Sequence, residues 1–234
     1  MFQTARIAAL CGATSIVFHA AFYLNDSPSK VYEQVKKQLQ QITSQLRAEG
    51  NRVWIRPEVT GKTSQFGTLE EVLELSAEIE MVAPCIDFAH WYARTGKFNS
   101  YDEFTFTLKQ VESKLGRQAL DNMHIHVSGI AYGKSGESKH LNLRESDFNY
   151  VEFIHALSDY NVKGLVSAKA PTSRKTPYSY NRPTELPNEG NLKFQFPNSK
   201  QTQISKKFKC QKLKAKITGE NAKMLWLALQ CQNG

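Results

Sequence analysis

The chain has 234 residues, 41% of them hydrophobic, and carries a formal net charge of +8. This length and apolar content suffice for one sizeable core, or for one domain with an appendage. No segment approaches the ~20 consecutive apolar residues of a membrane-spanning helix, and the first residues lack the basic stretch of a signal peptide, so we predict a soluble protein with no membrane partner.

Taken in chain order, strands and helices alternate. Short apolar or β-branched runs predict strands that start near residues 14, 53, 82, 123 and 164. Amphipathic spacing and capping residues predict the longer helices between them, over residues 28–49, 68–79, 101–115 and 147–160. Alternation with crossovers of this length predicts parallel strands, and hence an α/β fold with helices outside the sheet.

The alternation stops after Pro171. The stretch that follows is rich in Pro, Asn, Ser and Lys, which predicts mostly loop or disorder, with a possible helix over residues 222–229. We therefore divide the chain into a domain of residues 1–171 and a basic, mostly irregular tail of residues 172–234.

Charge differs between these two parts in a way that bears on function. Residues 172–234 carry twelve Lys and Arg against three Asp and Glu, a balance of +9, whereas the remaining residues have a balance of −1. The domain of residues 1–171 therefore makes no general electrostatic case for nucleic-acid binding.

The four cysteines lack the short paired spacing of a disulfide framework or zinc ribbon, which favours reduced thiols in a cytoplasmic protein.

Ligand-type side chains stand at the predicted carboxyl ends of successive strands: His19, Glu58, Asp87 and His124. In a parallel sheet or barrel these ends share one face, where sites are built. Imidazoles and carboxylates are ligands that Zn²⁺ and Mn²⁺ accept, and a shared carboxylate such as Glu58 can bridge two metals. The pattern predicts a metal site at this face, able to support phosphodiester cleavage if two metals lie close together.

Each of these residues also has a structural interpretation. Asp87 could cap the next helix, with His90 packed in a core, and Glu58 could lie on a surface loop. His126 would share a face with its neighbour two positions back and could support a ligand. His155 lies within a predicted helix and is interpreted as structural.

Four segments together resemble the endonuclease IV family of metal-dependent apurinic/apyrimidinic endonucleases, in the shorter variant found in archaea and related bacteria. They are residues 17–23 (VFHAAFY), 57–62 (PEVTGK), 84–90 (PCIDFAH) and 123–129 (MHIHVSG). The likeness continues through a loop over residues 133–141 and covers residues 3–171 in unbroken order.

This resemblance implies a TIM barrel with a cluster of zinc ions, up to three, that cleaves DNA on the 5′ side of an abasic site. It implies a hydrolase of the deoxyribonuclease IV type, with Glu58 and Asp87 as catalytic residues and DNA contacts from Tyr23 and residues 60–66. It assigns ligands to each metal in turn: His19 and the bridging Glu58 to the first, Glu58, Asp87 and His124 to the second, His90 and His140 to the third. Manganese is an alternative metal.

The chain departs from the family at three points. Lys169 stands where the family has a metal-binding glutamate, and a cation there would repel Zn²⁺. Ser138 stands where an acidic ligand is expected, and Glu137 could replace it. Five predicted strands cannot close an eight-stranded barrel, so we expect a partial TIM barrel that is completed by a partner fragment, a second copy or the tail.

Two alternative functions stay open. A sugar-phosphate isomerase or epimerase on the same barrel would keep Glu58, Asp87 and His124 around a single divalent metal. A non-catalytic remnant would bind nucleic acid loosely through its basic tail. The departures from the family pattern described above also allow a hydrolase whose activity is impaired.

Overall fold

The computed structural model describes residues 1–169 and the backbone of residues 213–217. In these ranges the helices are α1 to α7 in chain order: Phe2–Leu10, Pro28–Ala48, Leu69–Glu78, Phe88–Thr95, Tyr101–Leu115, Arg117–Asp121 and Tyr150–Asp159. The strands are β1 to β8 in chain order: Ser15–Phe18, Trp54–Pro57, Cys85–Asp87, Met123–Val127, Gly129–Gly133, Gly136–Leu141, Gly164–Ala168 and Leu213–Ile217.

Five of these strands run parallel, and each lies beside the one of the five that precedes it in the chain. β1 pairs with β2, and β3 pairs with β4, which pairs with β7. Parallel bridges between Ile55 and Val82 and between Glu58 and Cys85 join β2 to the chain entering β3. This arrangement confirms the predicted α/β fold and its five parallel units. Among the described residues, β1 has β2 as its only strand partner.

Two further strand pairs lie outside this parallel series. β5 and β6 form an antiparallel hairpin after β4, and β8 pairs antiparallel with β7. The sequence predicts no strand at residues 213–217, although Leu, Ala and Ile alternate with Lys there. The predicted helix over residues 222–229 lies outside the described residues, as does most of the predicted tail.

The long helices begin where the capping residues predict. The Ser27 side chain accepts a hydrogen bond from the Lys30 amide at the start of α2, and Pro28 occupies its first turn. Thr68 and Glu71 form a reciprocal capping box at the start of α3. None of the helices in the described ranges is long and apolar enough to cross a bilayer.

Strand alternation separates an apolar face from a polar one. Ile86, Ile125 and Val166 are at most 1% exposed and pack in the core beneath the helices. This core is closed by a cluster of aromatic rings from α4, α5 and α7 and the segment before α7: Phe88, Phe104, Phe148 and Phe153. The residues between the apolar positions face the opposite side, where the acids and imidazoles lie.

Candidate metal centre

The register of the parallel strands brings the candidate ligands to one rim. Asp87 is the last residue of β3 and pairs with His126 of β4, which pairs with Ser167 of β7. Glu58 directly follows β2, and its backbone amide donates to the Phe18 carbonyl at the end of β1. The rim is therefore formed by consecutive carboxyl ends of strands, as the sequence predicts.

Asp87 orients His90 through the start of α4. Its Oδ1 accepts a hydrogen bond of 2.8 Å from the His90 amide, which makes Asp87 the N-cap of this helix. The other carboxylate oxygen, Oδ2, lies 3.5 Å from His90 Nε2. Asp87 thus has the capping role that its spacing suggests and also faces the rim. Both side chains are buried, with Asp87 0% and His90 1% exposed.

His90 presents one ring nitrogen as a ligand. Its Nδ1 lies 3.1 Å from the Val59 carbonyl oxygen, which can only accept, so Nδ1 carries the proton. In the neutral ring Nε2 is then an unprotonated acceptor. Histidines that bind metals commonly donate their other N–H to a backbone carbonyl in this way. Nε2 is buried and makes no hydrogen bond within the part of the chain that the structure describes.

Glu137 and His140 of β6 approach this free nitrogen from the hairpin. Glu137 Oε2 lies 3.5 Å from His90 Nε2, and Glu137 Oε1 lies 3.4 Å from His140 Nε2. The Ser128 hydroxyl hydrogen-bonds His140 Nδ1 at 2.9 Å, which directs Nε2 toward Glu137. The ligand atoms of His90, Glu137 and His140 all lie within 4.8 Å of one another. We call these three residues the hairpin site.

Two glycines let the hairpin come this close. Gly136 has a φ of +89°, and a Cβ there would lie 2.1 Å from the Gly61 carbonyl oxygen. A Cβ on Gly61 would lie 2.7 Å from the Glu137 Cβ. The Glu137 amide donates to the Gly61 carbonyl at 2.8 Å, so the backbones of the two loops are in direct contact.

The second cluster of the rim comprises Glu58, Asp87 and His126, with ligand atoms within 4.8 Å of one another. His126 Nδ1 lies 2.8 Å from Glu58 Oε1. Lys169, which directly follows β7, extends its ammonium group between the two acids, 2.5 Å from Glu58 Oε1 and 2.9 Å from Asp87 Oδ2. We call these four residues the lysine cluster.

His19 also reaches Glu58, from the end of β1. Its Nε2 lies 3.4 Å from Glu58 Oε2, and His19, Glu58 and His90 form a third group within 4.8 Å. His124 lies elsewhere. It is two register pairs deeper in the sheet, level with Cys85, and its Nδ1 lies 3.3 Å from the Ser15 hydroxyl. The ligand atoms of Cys85, His124 and His126 form a fourth group within 4.8 Å. The structure therefore brings His126, and not His124, to the two acids.

Charge inside the rim perturbs its titrating groups. Burial alone would raise the pKa of Glu58, but hydrogen bonds from His126 and His19 and the charge of Lys169 outweigh it, and the pKa is strongly lowered. Burial likewise opposes ionisation of Asp87, yet electrostatic interactions with His90 and Lys169 lower its pKa. Both carboxylates are therefore ionised at neutral pH.

The two clusters differ in their fit to a metal ion. The hairpin site combines two imidazoles and a carboxylate, a donor set that suits Zn²⁺, around a buried nitrogen without a hydrogen bond. The lysine cluster has suitable donors as well, but the Lys169 ammonium lies where an ion bound to Glu58 and Asp87 would lie. A metal fits the first cluster as it stands and not the second.

The loop over residues 60–67 borders the rim and is held by Arg94. The Arg94 guanidinium donates to the Thr60 hydroxyl at 3.0 Å and to the Gln65 carbonyl at 2.9 Å. Phe22 pairs with Gln65 and is 55% exposed, although it follows His19 by only three residues. The hydroxyl of the predicted DNA-contacting Tyr23 instead donates to the Glu71 carboxylate at 2.8 Å.

Comparison with known proteins gives a family match and an uncharacterised relative. The family model for xylose isomerase-like TIM barrels matches residues 1–193. An uncharacterised protein of Methanocaldococcus jannaschii is 44% identical over 172 residues, which are 73% of this chain and 62% of that protein. The chain thus spans less than two thirds of the length of this relative.

Solved structures are similar at lower identity. A xylose isomerase domain protein from Alicyclobacillus acidocaldarius superposes with a TM-score of 0.51 and 17% identity, over 76% of this chain and 62% of that one. Endonuclease IV from Thermus thermophilus gives a TM-score of 0.47 and 22% identity, over 66% of this chain and 54% of that one. The first of these likenesses supports the barrel fold alone.

Proposed function

Because the chain belongs to the xylose isomerase-like TIM-barrel family, we propose that it is a metal-dependent phosphodiester hydrolase that cleaves DNA at abasic sites. The proposal rests on one observation above all: His19, Glu58, Asp87, His90, His126, Glu137 and His140 converge on one rim in ligand groups no wider than 4.8 Å. The resemblance to endonuclease IV, carried by four separate segments, supplies the substrate class.

We assign the metal to the hairpin site. His90, Glu137 and His140 would hold a zinc ion, or manganese in its place, and His126 replaces His124 as the imidazole nearest the two acids. When bound, such an ion supplies Lewis-acid stabilisation to a phosphoryl oxygen and makes water a better nucleophile at neutral pH. The side chains of the rim position the substrate and set the charge around it.

The ionised acids and the lysine shape the charge that a phosphate would meet. Glu58 and Asp87 carry negative charge that would repel a phosphodiester, and Lys169 offsets part of it. Glu58 is held by two imidazoles and Lys169 and is 5% exposed, so it stays ionised and fixed in place. Because a carboxylate whose pKa is strongly lowered is a weak base, its part in the proposed reaction is to hold these partners and to set the charge near the substrate.

The surface around the rim supports DNA as the partner. Exposed lysines at positions 62, 134 and 139 lie on the 60–67 loop and the hairpin, where they would meet backbone phosphates. The exposed ring of Phe22 offers a face on which an unstacked base can rest. An abasic site leaves its neighbouring bases poorly stacked, so such a surface would favour it.

A duplex oligonucleotide with one abasic site tests the proposal. With Zn²⁺ or Mn²⁺ present, we expect a single cut on the 5′ side of the site, no cut in the intact duplex, and loss of cutting with a chelator. A His90→Ala variant should be inactive because it removes the central ligand. A chain that binds metal but leaves the abasic strand whole would reject this function.

A single-metal sugar-phosphate isomerase is the second candidate, and one observation favours it. Lys169 pairs with both acids of the lysine cluster, so a single ion at the hairpin site is the metal content that we assign to the rim. An isomerase of this type would bind one metal and act on a sugar phosphate. Conversion of sugar phosphates by a chain that fails to cut abasic DNA would favour this alternative.

A further inference from the structure

We propose that Lys169 is the resident cation of the lysine cluster, so that its ammonium group takes the place of a metal ion and confines metal binding to the hairpin site. The inference rests on the proposed metal centre and adds the number and position of its ions. From the resemblance alone, Lys169 would count only as the loss of a metal ligand.

The backbone delivers Lys169 to this position. Its amide donates to the Val127 carbonyl at 2.8 Å, which continues the β4–β7 ladder one residue beyond Ala168. Because side chains alternate along a strand, Lys169 shares a face with Ser167, the register partner of His126. The lysine is thus fixed by the sheet on the same face as the acids, and its side chain is 18% exposed.

The ammonium group occupies the position that a metal would need. Nζ lies 2.5 Å from Glu58 Oε1 and 2.9 Å from Asp87 Oδ2, so it bridges one oxygen of each acid. A zinc ion bound to the same two oxygens would lie ~2.0–2.2 Å from each. The ion and the ammonium group cannot both occupy this space, and their like charges repel.

The acids require a cation in this place. Glu58 is 5% and Asp87 0% exposed, and both belong to one ligand group within 4.8 Å. Two ionised carboxylates this close and this deeply buried are unfavourable unless a positive charge lies between them. In the endonuclease IV pattern a metal ion supplies that charge, and here the chain supplies it covalently.

The hairpin site and the lysine cluster meet at Asp87, whose Oδ2 contacts Lys169 and lies 3.5 Å from His90 Nε2. Lys169 contacts Glu58 and Asp87, whereas His90 Nε2, Glu137 and His140 face one another and retain a buried nitrogen without a hydrogen bond. Glu58 is already engaged by Lys169, His126 and His19, which leaves little capacity to bridge a second ion. The further group of Cys85, His124 and His126 shares His126 with the lysine cluster. We therefore expect about one ion per chain at saturation.

Metal counting on matched variants tests this inference. After dialysis against Zn²⁺, plasma emission should give about one zinc per wild-type chain and about two per Lys169→Met chain. Lys163→Met is the control, because Lys163 directly precedes β7, as Lys169 follows it, and its amine pairs with Asp121 at the surface. The control should bind the wild-type number of ions, and so should Lys169→Arg, which keeps the cation.

The wild-type count keeps the inference falsifiable even if Lys169→Met fails to fold. Two or more zinc ions per wild-type chain would overturn it, and so would equal counts in wild type and Lys169→Met. Folding of Lys169→Met only when zinc is present would support it, because the ion would then replace the missing charge. If the variant gains an ion and neither chain cuts abasic DNA, the inference stands and the proposed hydrolase fails. If wild type and Lys169→Met bind equal numbers of zinc ions and the wild type cuts abasic DNA, the inference fails and the proposed hydrolase stands.

Discussion

His126 Nδ1 lies 2.8 Å from Glu58 Oε1, although the two residues are 68 positions apart and Glu58 follows β2, which does not neighbour β4. Asp87 lies on β3, the strand between β2 and β4. The hydrogen bond joins a buried carboxylate to an imidazole that is only 12% exposed. The contact ties Glu58 to β4, across the intervening strand β3.

His126→Ala should lower the free energy of unfolding of the metal-free chain. The change leaves buried Glu58 short of one charge-assisted hydrogen bond, which costs about 1–3 kcal/mol. Urea unfolding followed by circular dichroism measures the difference. His155→Ala, at an exposed position on α7, should stay within about 0.5 kcal/mol of wild type. Equal losses in the two variants would mean that the Glu58 contact contributes nothing.

His90→Ala should weaken zinc binding by more than about 100-fold, since loss of a mere supporting partner already costs 10–100-fold. His90 supplies the buried nitrogen of the hairpin site. Competition against a chromophoric zinc chelator gives the affinities. His124→Ala is the matched buried control, because His124 lies beside Cys85 and outside the hairpin site, and it should keep wild-type affinity. Loss of zinc in the His124 variant would instead support the ligand assignment predicted from the sequence.

Gly136→Ala should reduce both stability and zinc affinity. A Cβ at Gly136 would lie 2.1 Å from the Gly61 carbonyl oxygen, in a backbone conformation with φ of +89°, so the hairpin must move and carry Glu137 with it. Gly133→Ala, in the same hairpin, meets no atom within 4 Å and should bind zinc like wild type. Isothermal titration with Zn²⁺ compares the two, and identical affinities would contradict a role for this close approach.

Phe22→Ala should weaken binding to abasic DNA in the metal-free state, in which no cleavage occurs. Loss of one stacking ring costs about 1–3 kcal/mol, or roughly 5- to 150-fold in affinity. Phe106→Ala removes a ring of nearly equal exposure, 51% against 55%, from α5 and should bind DNA like wild type. Fluorescence anisotropy at fixed salt measures both. A Phe22 variant that binds as tightly as the control would place the DNA elsewhere.

Stability of the metal-free chain should fall on acidification. The pKa values of Glu58 and Asp87 are lowered below their ordinary values of 4.5 and 3.8. The two carboxylates therefore contribute fully to the free energy of unfolding when the pH is above their ordinary pKa values. This contribution is lost as the pH falls through the lowered pKa values of the folded chain. In Lys169→Met the acids lose the charge that helps to lower their pKa, so stability should depend less on pH. Urea midpoints between about pH 3 and pH 7 test this, and equal slopes would contradict it.

Much of the fold and part of the site can be predicted from the sequence. The five parallel strands follow from alternating apolar runs and capped helices, and the rim positions of His19, Glu58 and Asp87 follow from strand ends. The difference between His124 and His126 could not be predicted in this way. Both lie on the same face of β4, and only the pairing of β4 with β3 determines which one is level with Asp87.

The role of Lys169 depends on contacts that no local pattern contains. It lies 111 positions from Glu58 and 82 from Asp87, and its effect arises only when β7 joins the parallel series. From the sequence, this lysine indicates a missing ligand and repulsion of zinc. The structure adds that its charge is paired with both acids. Strand β8 is a comparable case, because its pairing with β7 follows from tertiary contact and not from local propensity.

Anomalous X-ray scattering at the zinc absorption edge, from crystals of the wild-type chain grown with Zn²⁺, tests the central claim most directly. We predict a strong peak bounded by His90 Nε2, Glu137 and His140 Nε2, and Lys169 in contact with Glu58 and Asp87 without a peak between them. Zinc-saturated crystals with no peak among His90, Glu137 and His140 would contradict the proposed metal centre.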